Sequence, residues 1–361
     1  MRAIYKGVQR FKGRLLRPKL LASSAALLLI SVAAIAEFRT AYFQSLYFSK
    51  RAGELTFSVQ PGANDEVRFP VGGPQDQRLG YAKLPAFVDS LKSRDFSVEK
   101  QSLPSPELAS FIGEHGYAVY REKEVAGLTL HDRDGVAFYK TGYPQHLFGN
   151  FDSIPPLIVN TLLFIEDRSL LDNDHPRQNP AVQWHRFVLA AAGQVGSVLD
   201  PSLRQGGAST LATQIEKFRH YPEGLTRDVE DKLSQMVAAS MRTYLDGPLT
   251  LGARERIVAT YLNSTPLSSR TGYGEIIGLG DAHCLWCGTD LAEADAVLSD
   301  PAPVDLKRKA EIYKQVLSLL LAQRRPSYYL LDGRADLKVL ADQYLRLLAA
   351  GGVIDVELHG E

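Results

Sequence analysis

The sequence predicts a mainly α-helical body, preceded by a small α+β region and one N-terminal transmembrane helix. Three observations predict it. An uncharged run follows a purely basic flank; residues 38 to about 150 alternate short β-patterned segments with Gly and Pro turn signals; and from Pro155 onward apolar residues recur at helical spacing.

The uncharged run is Leu20 to Ala36. A helix rising about 1.5 Å per residue crosses a bilayer in roughly 17–25 residues, so the run just suffices. Arg2, Lys6, Arg10, Lys12, Arg14, Arg17 and Lys19 precede it, and no acid occurs before Glu37. That asymmetry predicts a cytoplasmic N-terminus and export of everything after Glu37. Ala34-Ile35-Ala36 also forms an A-x-A cleavage pattern, so a cleaved signal peptide competes with the anchor; the long basic flank favours the anchor. Both place the remainder outside the cytoplasm.

In the next region Leu55–Val59 and Glu66–Phe69 read as short strands, and Gly127 to Tyr139 as two strands joined by an Asp-Gly turn. Helical spacing then covers 156–171, 181–198, 209–219, 227–245, 252–263, 291–299 and 308–323, with a further amphipathic helix from about Asp336 to Ala350. The expected division is a basic cytoplasmic segment (1–19), an anchor (20–36), an α+β platform (38–150), a helical domain (151–325) and a helical tail (326–361).

Composition narrows the function. The 361 residues exceed one typical domain, and 41 basic residues cancel 41 acidic ones, which argues against a nucleic-acid binder. Cys284 and Cys287 form a single C-x-x-C. Without a second pair a zinc site is disfavoured, and a local disulfide or two buried thiols is the expectation.

Four segments carry chemistry. Glu166-Asp167 closes the apolar helix Ile158 to Ile165. The loop Gly206-Gly207-Ala208-Ser209-Thr210 opens a helix bearing Gln214 and Lys217, and free N–H groups at such a start can hold an anion. Arg227, Asp231 and Gln235 fall at i, i+4 and i+8, with Lys232 beside them. Tyr261-Leu262-Asn263 is followed by Tyr273-Gly274. Taken singly, Ser209 and Thr210 read as helix caps, Lys217 and Arg227 as solvated charges, and Tyr261 and Leu262 as core.

Together and in this order, the segments resemble glycosyltransferase family 51, the transglycosylase module of penicillin-binding proteins and monofunctional wall polymerases. The family's E-D-x-x-F reads Glu166-Asp167-Arg168-Ser169-Leu170; its G-x-S-T-x-x-x-Q reads Gly207 to Gln214, with Lys217 beyond; its R-x(4)-K-x-x-E reads Arg227 to Lys232 with Gln235. Asp290 to Ala296 resembles D-L-T-x-x-E-A-A, and Pro301 to Pro303 extends the match. The resemblance implies a lysozyme-like transglycosylase lobe in the bacterial inner membrane, facing the periplasm, that polymerises lipid II or a related lipid-pyrophosphate sugar. Glu166 would be the base that takes the acceptor's hydroxyl proton. Asp167, Ser209, Thr210, Gln214, Lys217, Arg227 and Lys232 would hold sugar and diphosphate, with Arg186 a further substrate-binding candidate. Other wall-synthesis proteins are the expected partners. The pattern demands no organic cofactor and leaves room for a divalent cation such as magnesium; no metal-ligand set is read.

The departures matter equally. Gln235 stands where the family has a second glutamate, and an amide carries neither charge nor a titratable proton. The basic residue before Lys232 is Asp231, which could supply a displaced carboxylate one turn away. A longer Asp172 to Pro180 loop comes after Leu170, and Tyr313, Lys314 and Gln315 replace the arginine pair before Val316-Leu317. Weak polymerisation, a non-catalytic binding role and lysozyme-like cleavage by Glu166 alone therefore stand as alternatives. Ser97 to Lys100 and Lys140 to Gly142 mimic transpeptidase motifs, but their short separation makes them coincidental, and no β-lactam binding is expected.

Overall fold

The computed structural model describes residues 23–65, 73–115, 118–182, 209–300 and 305–360. Helix α1, Ser23–Thr40, is long and apolar enough to cross a membrane and buries none of its surface in the protein. Its hydroxyls bond back along the helix, Ser31 to the Leu27 carbonyl at 2.8 Å and Thr40 to that of Ala36 at 2.9 Å. Ala41 breaks the run at φ 50°, and Glu37, the first acid, accepts from the amides of Phe43 and Gln44 at 2.8 Å each. That carboxylate satisfies N–H groups that the start of α2 (Tyr42–Glu54) would otherwise leave bare.

Two antiparallel strand pairs belong to the region ahead of the helical body. Strand β1 (Phe57–Pro61) pairs with β2 (Lys100–Pro104), and β3 (Ala126–His131) with β4 (Ala137–Tyr143) around the Asp-Gly turn. The first strand lies two residues later than its spacing predicts; Glu66–Phe69 falls outside the described residues. Helices α3 (Pro74–Arg78) and α4 (Leu84–Lys92) lie between β1 and β2, and α5 (Pro106–His115) lies between β2 and β3.

The helical body comprises α6 (Pro156–Glu166), α7 (Leu211–His220), α8 (Val229–Thr243), α9 (Leu251–Ser264), the hairpin β5 (Pro266–Arg270) and β6 (Gly274–Ile277), α10 (Gly278–Ala282), α11 (Leu291–Ser299), α12 (Leu306–Ala322), α13 (Arg334–Ala350) and α14 (Val356–Gly360). The fold is mainly helical, with small two-stranded sheets. The β5–β6 hairpin was not legible from periodicity, because Pro266 to Ile277 lacks clean alternation. Most of the 181–198 expectation falls outside the described residues.

One buried cluster runs from Phe148 through Ile158, Leu162, Leu262 and Leu317 to Leu337, Ala341, Leu348 and Leu358, so the tail helices pack onto the core of the helical body. Each leucine, isoleucine or phenylalanine among them, fully buried, contributes about 1.5–3 kcal/mol. A second cluster joins Ala52 and Leu55 of α2 and Leu108 and Phe111 of α5 to Ala238 and Met241 of α8. Residues just after α1 thus pack directly on a helix of the body. Both thiols of the C-x-x-C are free, on a π-helical turn His283–Cys287.

Candidate active site

Helix α6 ends at Glu166 because Asp167 leaves the helical path. The Asp167 backbone is extended, and its buried carboxylate accepts from the Ser169 amide at 3.1 Å and the Ser169 hydroxyl at 2.9 Å. The spacing predicts helix to residue 171; this local turn stops it five residues earlier, since a side chain that satisfies nearby backbone competes with another helical turn. Asp167 therefore organises the turn beside Glu166.

Two amides hold the Glu166 carboxylate. Gln323 Nε2 donates to Oε1 at 2.9 Å, and Gln214 Nε2 to Oε2 at 3.4 Å. The Tyr261 hydroxyl sits against the carbonyl oxygens of both amides, 3.3 Å from that of Gln214 and in closer contact with Gln323. Burial first, and then the Glu166 charge, push this phenol well above its usual range, so it remains a proton donor. With their oxygens turned to the phenol, the amides present N–H groups to the carboxylate. Gln323 was missed from sequence because it ends the leucine run of α12 and nothing local marks it. Tyr261 is core, as expected of it alone, and its hydroxyl also reaches the site.

Gln214 lies one turn inside α7, whose start is about 6 Å further along the axis. Thr210 caps it: its hydroxyl accepts from the Thr213 amide at 3.3 Å, while the Thr213 hydroxyl accepts from the Thr210 amide at 2.9 Å. Thr210 is buried, whereas Ser209 is exposed and accepts from Lys232 Nζ at 2.7 Å. Burial lowers the pKa of Lys217; burial and then the charge of Lys217 lower that of Lys232. Two partly desolvated ammonium groups therefore neighbour the helix start.

Arg227 precedes α8, contrary to the expected helix from 227. Its backbone N and Nε bond Asp231 at 3.0 and 3.1 Å, and Asp228 caps the helix through the Asp231 amide at 2.8 Å. The i and i+4 partners still meet, and Asp231 is committed to Arg227. Gln235 is buried, with Nε2 donating to the Thr226 hydroxyl at 2.9 Å. Arg186, Gly206 to Ala208 and Pro301 to Pro303 lie outside the described residues.

The long loop after Leu170 is pinned from below. Buried Arg254 donates to the carbonyls of Leu170 and Asp172 at 2.9 Å each and of His175 at 3.2 Å, while Tyr244 bonds the Arg177 carbonyl at 2.8 Å. Tyr273 of the late motif bonds buried Asp281 at 2.5 Å, which also takes the His146 amide at 2.8 Å. Among the described residues no group of three His, Cys, Asp or Glu side chains converges as a metal site. The side chains around Ser209 are hydroxyls and ammonium groups, which suit an anion and do not themselves make a divalent-cation site.

The arrangement is a partly buried carboxylate, fixed in direction, one to two helical turns from a cationic helix start. A proton acceptor next to an anion cradle is what sugar transfer from a diphosphate requires. No curated protein gives a significant match to the chain. A family profile described as transglycosylase matches residues 134–337, more than half of the chain and all of the site just described. On that match the protein belongs to glycosyltransferase family 51, the peptidoglycan transglycosylases.

Proposed function

We propose that the chain transfers sugar from lipid II, or a closely related lipid-diphosphate donor, to a growing wall glycan at the outer face of the bacterial inner membrane. The observation that carries this reading is the Glu166 carboxylate, held by Gln214 and Gln323 close to the helix start where Lys232 meets Ser209. Glu166 takes the proton from the acceptor's 4-hydroxyl as that oxygen attacks the anomeric carbon. The bond to the diphosphate breaks on the opposite face, inverting the centre, and Lys217, Lys232, Ser209 and Arg227 receive the leaving charge. Helix α1 supports an anchored enzyme acting on a membrane-held substrate. Gln235 favours a second reading, a wall-synthesis partner that binds the lipid-linked sugar with little or no turnover, since an amide bonded to Thr226 supplies no carboxylate.

Incubation of the purified full-length protein with fluorescent lipid II and magnesium separates the readings. Glycan polymer that disappears in Glu166→Gln supports the enzyme. Saturable binding without polymer supports the partner, release of fragments from finished strands supports a cleaving enzyme, and absence of both binding and turnover rejects the substrate class.

A further inference from the structure

The outward face of α2 is apolar where the helix leaves α1 and charged further on. Phe43, Leu46 and Tyr47 are 69, 42 and 59 % exposed, and exposed Lys50 continues their stripe at i+7 from Phe43. Arg51 and Glu54 then pair with each other at 2.7 Å. The opposite face is occupied by the protein: Ser45 and Ala52 are buried, and the Phe48 ring stacks on Tyr244, just after α8, with centroids 5.8 Å apart. Helix α1 ends at Thr40 with its apolar surface uncovered by protein, and only Ala41 separates it from α2. The exposed stripe therefore begins three residues beyond a helix long and apolar enough to cross a bilayer.

We infer that Phe43, Leu46 and Tyr47 are immersed in the leaflet on the exported side, at the boundary between headgroups and acyl chains, and that the chain leaves the bilayer at Lys50. Aromatic rings are enriched at that depth, and a lysine stem there carries its charge to the lipid phosphates. Three such side chains expose on the order of 300 Å². That is well short of the about 800 Å² per partner of a stable protein interface, whereas a leaflet crossed by α1 meets them directly. This seating rests on α1 as a membrane span and does not depend on which sugar the site takes. It also bears on the loop that follows Leu170. The Arg177 guanidinium lies over the Tyr42 ring at 5.1 Å, and Tyr244, stacked on Phe48, bonds the Arg177 carbonyl at 2.8 Å. The helix that meets the lipid thus holds a loop of the active-site lobe close to the headgroups.

Spin labels on single cysteines test the seating in the full-length protein, with Cys284→Ser and Cys287→Ser removing both native thiols, in vesicles of phosphatidylethanolamine and phosphatidylglycerol. Labels at Leu29→Cys, in α1, and at Phe43→Cys, Leu46→Cys, Tyr47→Cys and Lys50→Cys are compared by their collisions with oxygen, which concentrates in the bilayer, and with a water-soluble nickel chelate. Leu29 should report the deep interior, the next three positions a depth of about 5–10 Å below the phosphates, and Lys50 water. Nickel access at positions 43, 46 and 47 with Leu29 still deep would overturn the seating and leave the span intact. Nickel access at Leu29 as well would overturn both. Protection from both reagents, with spin–spin broadening that disappears on dilution with unlabelled protein, would give the face to a second copy of the chain and overturn the lipid assignment.

Discussion

Glu166 is directed by side chains distant in sequence: Gln214 and Gln323 bond it, and the Tyr261 hydroxyl holds both amides. Under the proposed mechanism Glu166→Gln should lower polymerisation about 10²–10⁴-fold, the usual contribution of a general base, while leaving lipid II binding within a few-fold. Parallel turnover and binding measurements check this, and unchanged turnover would remove Glu166 as the base. Gln235 makes the opposite prediction. In Gln235→Glu a carboxylate would be buried against the Thr226 hydroxyl, so thermal stability should fall, and turnover should rise if the missing acid limits the natural protein. A variant with the lower melting temperature and no gain in rate would show that the position no longer serves catalysis. Because burial depresses both Lys217 and Lys232, an anion that pairs with them should raise their pKa values and take up protons on binding in the alkaline range. Titration with inorganic pyrophosphate in buffers of different ionisation enthalpy reads that uptake directly.

Helix α7 serves the site with one face and the body with the other. Gln214 and Lys217 lie towards Glu166 and Ser209, while Ile215 and Arg219 pack inward and His220 ends the helix wholly buried. His220 Nδ1 meets Asp76 at 3.0 Å and Nε2 meets Glu122 at 2.9 Å, with Arg219 and Arg242 completing the network. Burial works to lower its pKa, but the Glu122 charge and the bonds to Asp76 and Glu122 outweigh it and raise the imidazole to about 9. A folded pKa above the unfolded value near 6.5 means that this stability is fully present below pH 6.5 and lost as pH rises through about 9. Folding stability should therefore fall across that window by on the order of 3 kcal/mol, read as a lower melting temperature, and the slope should flatten in His220→Gln. At the β6–α10 junction Gly278 has φ 75°, and an added Cβ would lie 2.6 Å from the Asn263 carbonyl. Gly278→Ala should cost about 1–3 kcal/mol or more by denaturant unfolding, from backbone strain combined with that clash.

At the scale of the whole molecule the apolar helix α1 and the helical body are joined through α2, which leaves α1 through one left-handed residue and then packs on α8. The basic flank predicts that a reporter fused after residue 60 is active only when exported. Cytoplasmic activity at that fusion point would contradict the orientation and with it a substrate on the outer face.

Much of the fold was determined by the sequence alone, for a physical reason. Helices α7 to α9 and α11 to α13 arise from apolar periodicity, the β3–β4 hairpin from Asp134-Gly135, and the apolar N-terminal helix from uninterrupted hydropathy, because each depends on neighbours within a few residues. The ordered motifs likewise mark the family, because each is a short run of neighbouring residues. Tertiary structure alone decided that α6 stops at Glu166, that Pro266 to Ile277 forms a hairpin, and that Gln323 joins Gln214 at the carboxylate. It also decided that Asp231 is held by Arg227 and that Gln235 turns back to Thr226. Each of these is a competition between possible partners, and which partner wins depends on the close packing of segments that lie far apart in the chain.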